Sequence, residues 1–220
     1  MKEVKIITKN HLKTKRNYLG RMLDSKIKCM NEASRYGKNY WDGKRKYGYG
    51  GYKYIEGFQT PIAQKIIKNF NLTNKSRIID LGCGKGFLLY EIKKILPNID
   101  IVGLDISRYA KRNGKKEIKN YIKIHNLEKK LPFKKKYFDL AITINSFHNL
   151  KINHLELAIK EMIRISKNQY LAVESYRNNE ELFNLQCWAL TCQSFFSKSE
   201  WEWILKKNKF NGLYEFIYFT

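Results

Sequence analysis

The feature that most constrains the fold is a short apolar segment that runs into three closely spaced glycines. Residues 77–81 read Arg-Ile-Ile-Asp-Leu, and Gly82, Gly84 and Gly86 follow at once. The apolar run predicts a buried strand, and the aliphatic residues at helical spacing from Leu88 onward predict a helix. Glycine permits a tight turn and lets a ligand approach backbone that a Cβ would shield. The segment therefore predicts a strand–loop–helix cradle for a cofactor.

Strand and helix patterns alternate on both sides of this cradle. Further strands are predicted at 101–105, 121–124, 139–144 and 170–174, and helices at 60–70, 88–96, 154–165, 180–190 and 199–208. Strands that alternate with helices of this length indicate a parallel sheet with helices on both faces. The last segment, 213–219, is rich in β-forming residues and is predicted to be an antiparallel edge strand. The predicted fold is α/β: a Rossmann-like, doubly wound, mostly parallel sheet.

The first 58 residues differ from the rest of the chain because they are rich in lysine, tyrosine and glycine. Residues 12–35 are predicted to form one or two helices, and 36–58 an ordered loop, because the glycines between 43 and 51 disfavour a helix. We therefore divide the chain into an N-terminal extension, 1–58, and a main domain, 59–220. The aromatic side chains of the extension either pack on the main domain or close over its site as a lid.

Length and composition exclude several classes of protein. With 220 residues, 43% of them hydrophobic, the chain suffices for one well-buried domain with a small appendage. No run of about 18 apolar residues predicts a membrane span, and the basic N-terminus lacks the apolar core of a signal peptide. The four cysteines are too scattered for a disulfide framework or a zinc site. We expect no metal and a cytoplasmic location.

The formal net charge of +23 permits two interpretations. Such an excess is typical of nucleic-acid binders. However, lysine, asparagine, isoleucine and tyrosine are all abundant, and these residues share A- and T-rich codons, so genome composition could produce much of the charge. A generally basic solvated surface and a dedicated anion-binding face therefore both remain open.

The glycine loop itself distinguishes between two families of cofactor-binding protein. The dinucleotide fingerprint GxGxxG would need a third glycine at position 87, which is Phe87. The segment 80–86, Asp-Leu-Gly-Cys-Gly-Lys-Gly, instead resembles the motif of class I S-adenosylmethionine-dependent methyltransferases, particularly those that act on small molecules. The resemblance extends in order from about Ile62 to Glu174. It implies a Rossmann-like fold, S-adenosylmethionine as cofactor and methyl transfer as the activity.

The same resemblance implies a set of residues that hold the cofactor. Asp105 ends the second strand of the main domain, where a carboxylate accepts hydrogen bonds from both ribose hydroxyls. Asn126 stands where the family usually has an Asp that contacts the adenine amino group, and its side-chain carbonyl offers an acceptor for the same contact. The cofactor-binding residues implied are Asp80, Gly82, Cys83, Gly84, Asp105, Ile106, Asn126, Leu127 and Asn145. Cys83 is interpreted as a small packing residue of the loop rather than a catalytic thiol.

His148 is the first candidate for a general base, and Glu174 and Asp42 are the others. His148 follows the 139–144 strand, beside the expected position of the methyl group, and an unperturbed histidine titrates near neutrality. Glu174 ends the next strand, in the zone where α/β proteins bind ligands. Each has a plainer alternative, a hydrogen-bonded structural role for His148 and a surface role for Glu174.

The class of molecule that accepts the methyl group is narrowed mainly by motifs that the chain lacks. Neither the Asn/Asp-Pro-Pro-Tyr/Phe motif of base-amine methyltransferases nor a Pro-Cys pair occurs. We therefore predict a small polar acceptor, for instance a saccharide or its precursor, methylated at a hydroxyl or amine. The predicted acceptor-binding residues are Trp41, Tyr49, Tyr52, His148 and Trp188, and 180–198 is a candidate pocket insertion. An RNA acceptor and a non-catalytic cofactor-binding relative are the alternatives, and a monomer and a homodimer are both open.

Overall fold

The computed structural model describes residues 1–7, 15–49 and 52–220, and its centre is a seven-stranded sheet. The strands are β1 (Lys2–Glu3), β2 (Arg77–Leu81), β3 (Asp100–Asp105), β4 (Ile122–Ile124), β5 (Phe138–Ile144), β6 (Ser166–Glu174) and β7 (Leu213–Ile217). Every pair of neighbouring strands runs parallel. The predicted Rossmann-like α/β fold with a parallel sheet is confirmed.

Helices connect the strands and form the N-terminal extension. Those in the described parts of the chain are α1 (Tyr18–Leu23), α2 (Lys26–Ala33), α3 (Lys38–Asp42), α4 (Thr60–Phe70), α5 (Phe87–Ile95), α6 (Arg108–Arg112), α7 (Ile152–Ile165), α8 (Asn179–Trp188) and α9 (Lys198–Lys207). Short 3-10 turns occur at Arg45–Tyr47, Lys119–Tyr121 and Phe147–Asn149. Within the described ranges, no helix has the length and apolar character to cross a membrane.

The strand order determines where a ligand can bind. The order across the sheet is β1-β7-β6-β5-β2-β3-β4. From β2 the chain builds outward through β3 to β4, and it then returns to place β5 on the other side of β2. The loops that leave the carboxyl ends of β2 and β5 therefore diverge. In parallel α/β sheets, ligands bind in the crevice at such a reversal of strand order.

The prediction that the last strand is antiparallel and lies at the edge is wrong. β7 pairs in parallel with β6, with Tyr170 opposite Leu213. The connection between these strands contains α8 and α9. A helical crossover of this kind carries the chain back to the amino ends of the strands, so the next strand runs parallel to the last. β7 is also not an edge strand, because Lys2 of β1 pairs with Leu213 on its other side. The antiparallel description applies to none of the described strands.

Helices cover both faces of the sheet, and side chains alternate between the two resulting cores. In β2, Ile78 belongs to the core beneath α4 and α5, whereas Ile79 belongs to the core beneath α7 and α9. This alternation follows from the period of two in a strand. Both residues are 0% exposed, so the strands that carry the site are held from both sides.

The N-terminal extension starts as the edge strand β1 and then reaches the carboxyl ends of the strands. The buried carboxylate of Glu215 in β7 accepts hydrogen bonds from the backbone N–H groups of Ile6 (2.7 Å) and Ile7 (3.0 Å) and from the Tyr170 hydroxyl (2.7 Å). The helices predicted within 12–35 are α1 and α2, with 12–14 outside the described residues. The prediction of a loop throughout 36–58 is wrong at α3, because its flanking glycines, Gly37 and Gly43, bound the helix rather than interrupt it.

Candidate active site

The glycine loop between β2 and α5 requires glycine at the predicted positions. Gly82, Gly84 and Gly86 have φ angles of 85°, 56° and 72°, in the left-handed region that other residues rarely adopt. A Cβ on Gly82 would lie 2.1 Å from Oγ of Ser146, and one on Gly84 would lie 2.8 Å from the ring of Trp41. The loop is therefore closely covered, by the turn after β5 on one side and by α3 on the other.

Asp105, at the end of β3, organises the cavity on one side of this loop. Its Oδ2 accepts the Gly84 N–H at 2.7 Å, and its Oδ1 accepts the Ser107 N–H at 2.8 Å. Burial raises the pKa of Asp105, although these two bonds oppose the rise. Each carboxylate oxygen has two acceptor sites, so each keeps capacity for a further donor. Asp105 lines a cavity of about 300 Å3 together with Ile106, Asn126, Leu127 and Asn145.

Asn126 is partly engaged by its own turn. Its Oδ1 accepts the Glu128 N–H at 2.9 Å, and its Nδ2 lies 3.3 Å from Oε2 of Glu128. Glu128 also lines the cavity of Asp105, and its Oε1 lies 3.2 Å from Nδ1 of His154. A carboxylate thus lies near the position where the sequence has Asn instead of the expected Asp.

Asp80 is a buried carboxylate in a second, larger cavity of about 510 Å3. It is 5% exposed and forms no salt bridge with any described residue. Burial, reinforced by the negative charge of Asp105, raises the pKa of Asp80 to about 7. A carboxylate in this setting is stabilised by a cationic ligand. Gly82, Cys83 and Gly84 line the same cavity, and Asn145, Gly82, Tyr40 and Trp41 line both cavities.

Cys83 has the environment of a packing residue. Its Sγ lies 2.6 Å from where a Cβ on Gly103 of β3 would be, so it fills the space that Gly103 leaves. Burial and the charges of Asp105 and Asp80 raise the pKa of the Cys83 thiol well above its ordinary value. Because the thiolate is the nucleophilic form, this shift disfavours a catalytic role for the thiol.

Helix α3 lies directly on the glycine loop. The Trp41 Nε1–H donates to Oγ of Ser107 (2.8 Å) and to the backbone oxygen of Tyr36 (3.0 Å). Asp42 pairs with the buried Lys85 of the loop at 2.6 Å. Burial opposes ionisation of Asp42, but hydrogen bonds from Lys85 and Tyr109 outweigh it and lower the pKa of Asp42. Trp41 lines both cavities and its ring packs against Gly84 of the glycine loop.

His148 and Glu174 form a buried pair in the larger cavity. Nδ1 of His148 accepts the backbone N–H of Glu174 at 3.3 Å, which places the ring proton on Nε2, 3.5 Å from Oε2 of Glu174. Burial lowers the pKa of His148 to about 3. Burial raises the pKa of Glu174 to about 7, although the charges of Arg16 and Arg21 oppose the rise. Oε2 of Glu174 accepts no hydrogen bond from the described residues.

The remaining predicted acceptor residues converge on the same cavity. Tyr49, Tyr52 and Trp188 line it together with His148 and Glu174. The Tyr49 hydroxyl accepts the backbone N–H groups of Leu190 (2.7 Å) and Thr191 (3.2 Å), so the extension is joined to the segment after α8. That segment also donates two backbone N–H groups to the carbonyl of His148. Of residues 180–198, Trp188 lines the cavity.

Three charged residues of this cavity were not identified from the sequence: Arg16, Arg45 and Lys85. The lysine lies within the glycine motif and could have been noticed as a polar side chain between two buried segments. The arginines carry no local signal, because their position depends on how the extension folds against α8.

The polar ends of five strands are thus gathered around one glycine loop. A model described as a methyltransferase domain matches residues 72–215. The chain belongs to this methyltransferase family. The family's cofactor is S-adenosylmethionine, and the described residues fit its charge, since Asp80 offers a buried carboxylate to a cation and Asp105 retains free acceptor capacity.

Solved structures with the same fold resemble the methyltransferase only distantly in sequence. The YcgJ protein of Bacillus subtilis is 17% identical, with 66% of each chain covered and a TM-score of 0.51. A Bacillus halodurans protein described as a methyltransferase is 15% identical, with 66% of this chain and 67% of that chain covered and a TM-score of 0.53. For YcgJ, the chain therefore spans about two thirds of the relative's length. A comparison with curated protein sequences returned no match.

A third structure covers more of the methyltransferase, including part of the extension. It is from a complex of the Haloferax volcanii Trm112 methyltransferase activator with a protein described as a methyltransferase. The identity is 14%, the alignment covers 89% of this chain and 76% of that chain, and the TM-score is 0.53. At these identities the structures establish the shared fold.

Replacing Asp105 with Ala should weaken binding of S-adenosylmethionine. Each charge-assisted hydrogen bond lost costs about 1.5–3 kcal/mol, which is about 10- to 150-fold in Kd. Isothermal titration calorimetry measures the change. Asp100 at the exposed amino end of the same strand provides a matched control, and D100A should bind the cofactor as the wild type does. Equal affinity of D105A and wild type would contradict the assigned pocket.

Proposed function

We propose that this methyltransferase transfers a methyl group from S-adenosylmethionine to a hydroxyl or amine of a small polar molecule. The observation that carries the proposal is the buried Glu174 carboxylate. It lies in the cavity that also contains the glycine loop, and its Oε2 is not satisfied by the described residues. A buried acceptor atom of this kind costs stability unless a ligand pairs with it.

Methyl transfer requires the protein to align the acceptor with the methyl group and to remove one proton from the acceptor. Bound S-adenosylmethionine supplies an electrophilic methyl group: the acceptor oxygen or nitrogen forms a bond to its carbon, the carbon–sulfur bond breaks, and the bonding pair stays on sulfur as a neutral thioether. The acceptor must lose one proton. Glu174 is suited to take it, because a base with a pKa of about 7 is about half ionised at pH 7 and yet strong enough to accept a proton.

His148 has a different role in this proposal from the general base expected from the sequence. Its Nδ1 is occupied by the backbone N–H of Glu174, and its low pKa keeps the ring neutral. The ring excludes water from Glu174 and so maintains the high pKa of the carboxylate. We therefore assign His148 as a positioning residue and Glu174 as the base.

The N-terminal extension is proposed to act as the lid of the site. Support comes from its contacts with both cofactor-binding segments, through Trp41 to Ser107 and through Asp42 to Lys85. Closure would exclude water and hold the acceptor within about 3–3.5 Å of the methyl group, an arrangement that contributes roughly 7–11 kcal/mol to catalysis. The segment 180–198 is proposed as the facing wall of the acceptor pocket.

A small acceptor is favoured over RNA by the burial of Glu174 and His148 within the cavity. Glu174 is 7% exposed and His148 3%, so the acceptor atom must enter a pocket lined by the extension. A saccharide or a saccharide precursor fits the mixture of aromatic and polar walls. A cytoplasmic location is part of the proposal, supported by the four free cysteines. RNA methylation is the second candidate, and the net charge of +23 favours it.

The pH dependence of catalysis tests the assignment of the base. In the wild type, kcat/KM should rise with pH through about 7, because Glu174 must be ionised to accept a proton. E174Q should lose roughly 10²- to 10⁴-fold in kcat and also lose this titration, with cofactor affinity unchanged. H148A should keep a titration but with its midpoint below 7, since water would reach the carboxylate. A wild-type midpoint that is unchanged in E174Q would exclude Glu174 as the base.

Breaking the contact between Asp42 and Lys85 tests the lid. D42N should accelerate amide hydrogen exchange in 38–47 and lower kcat, because the closed arrangement loses its ion pair at 2.6 Å. Asp24 is the matched control: it pairs with Lys46 at 2.9 Å within the same extension but does not line the larger cavity. D24N should turn over at the wild-type rate. If D42N is as active as D24N, the extension is not a functional lid.

Methyl-labelled S-adenosylmethionine, incubated with the protein and fractionated cell extract, tests the class of acceptor. Label is expected in the small-molecule fraction, because Glu174 and His148 are buried. Label that enters RNA and is released by ribonuclease would establish the second candidate instead. Absence of label from every fraction, with cofactor binding verified by calorimetry, would indicate a non-catalytic relative.

A further inference from the structure

The net charge of the chain is concentrated in one segment, residues 108–136, which we call the basic edge. This segment contains 12 of the 43 basic residues but two of the 20 acidic ones, Glu117 and Glu128. It therefore carries +10 of the net charge of +23 in 29 of the 220 residues. A codon bias that favours lysine would raise the charge along the whole chain, so it does not account for this concentration.

The basic edge wraps around one side of the sheet. The chain before β4 packs on one face, since Ile118 belongs to the core beneath α4 and α5. The connection from β4 to β5 packs on the other face, since Leu131 belongs to the core beneath α7 and α9. β4 itself is the last of the described strands in the sheet order. The cations of the two faces are thus brought together around an open strand.

These cations are mostly exposed and lack acidic partners. Ten of the 12 are exposed, and none of the 12 forms a salt bridge with a residue in the described part of the chain. Basic residues elsewhere do form such pairs, as Lys46 does with Asp24. Two members of the basic edge serve the fold: Lys136 donates to two backbone oxygens, at 3.1 and 2.7 Å, and Lys115 lies 3.9 Å from the centroid of the Tyr54 ring. The others repel one another, and an anionic partner removes that cost.

Protection of the open strand explains little of this charge. Lysine on an edge strand prevents pairing with a strand of another molecule. β4 contains a single lysine, Lys123, and the other 11 basic residues lie in the segments on either side of the strand. A charge of this size, spread around an edge, instead suits a partner that carries a row of anions.

We propose that the basic edge binds the phosphate backbone of a nucleic acid. A nucleic acid presents phosphates in a regular row, and the lysines that neutralise them gain affinity because counterions are released. A lipid bilayer is less suited, because segments that bind a membrane surface carry large apolar side chains among their cations. Within 108–136 the most exposed large hydrophobic side chains are Tyr121 and Ile124, at 38% and 37%.

The basic edge lies beside the candidate active site without entering the acceptor cavity. Leu127 and Glu128 line the cavity of Asp105, whereas the described lining of the larger cavity, which contains Glu174, includes no residue of 108–136. A nucleic acid bound at the edge therefore leaves the larger cavity free for a small acceptor. The inference goes beyond the proposed methyl transfer and holds whichever molecule is methylated.

The salt dependence of RNA binding tests the basic edge independently of turnover. A fluorescein-labelled single-stranded RNA of roughly 20 nucleotides is titrated with the full chain at several KCl concentrations, and binding is followed by fluorescence anisotropy. The triple variant K129Q/K134Q/K135Q should bind the RNA about tenfold more weakly or worse. It should also reduce the slope of log K against log salt concentration by about 2, because each phosphate contact on a single strand contributes about 0.7.

A matched variant separates the basic edge from the charge of the whole chain. K68Q/K160Q/K206Q removes the same charge from exposed lysines on α4, α7 and α9, and it should bind the RNA as the wild type does. Both triple variants should bind S-adenosylmethionine with wild-type affinity in calorimetry, because none of the six lysines lines either described cavity. Retained cofactor binding shows that a loss of RNA affinity is not caused by misfolding.

Three results would overturn the proposal. The wild type could fail to bind the RNA at low ionic strength, or the two triple variants could lose RNA affinity equally, which would indicate a diffuse effect of the +23 charge. In the third, K129Q/K134Q/K135Q loses sedimentation with phosphatidylserine vesicles but keeps its affinity for RNA, and the partner is then a membrane surface. RNA binding that this variant alone weakens establishes the basic edge even if no methyl transfer is found.

Discussion

The reversal of strand order between β2 and β5 is the constraint on which the rest of the structure depends. Because the chain builds outward from these two strands in opposite directions, the loops at their carboxyl ends diverge and no helix can cover the space between them. The glycine loop and the turn at Asn145 border this crevice. The extension, which comes from outside the βα alternation, supplies the missing cover, and α3 reaches the glycine loop for this reason.

The distribution of buried charge around that crevice is the second feature that shapes the site. Asp80 and Glu174 both have pKa values raised to about 7, so the fold places there two acids that are costly to ionise. Asp105, in contrast, is held by two backbone N–H groups. The free-energy cost of ionisation is thus largest for the two carboxylates that a ligand can stabilise. Asp80 can pair with a cation, and Glu174 can accept a proton. Burying these two carboxylates lowers the stability of the fold, and ligand binding at the same site offsets that loss.

What the sequence could predict was mostly local. The strand at 77–81, the glycines after it and Asp105 at the end of the next buried strand follow from patterns a few residues long, and the structure agrees with each. The direction of β7 could not be predicted in this way, because it depends on where α8 and α9 carry the chain. The arginines near Trp188 also lack a local pattern, since α8 and the extension are over a hundred residues apart. Similarly, no spacing could reveal that the backbone of Glu174 occupies Nδ1 of His148.

The hydrogen bonds of Glu215 have a consequence for the order in which the protein can be completed during synthesis. Residues 6 and 7 are tied to a carboxylate in the final strand, and β1 pairs with the same strand. The ribosome releases the start of the chain long before that strand exists, and contacts so distant in sequence form late. Residues 2–7 therefore cannot take their final place until residues 213–217 emerge, whereas the contacts of α3 with the glycine loop need only the chain up to Ser107. The extension can therefore settle on the glycine loop first, and its opening residues are anchored last.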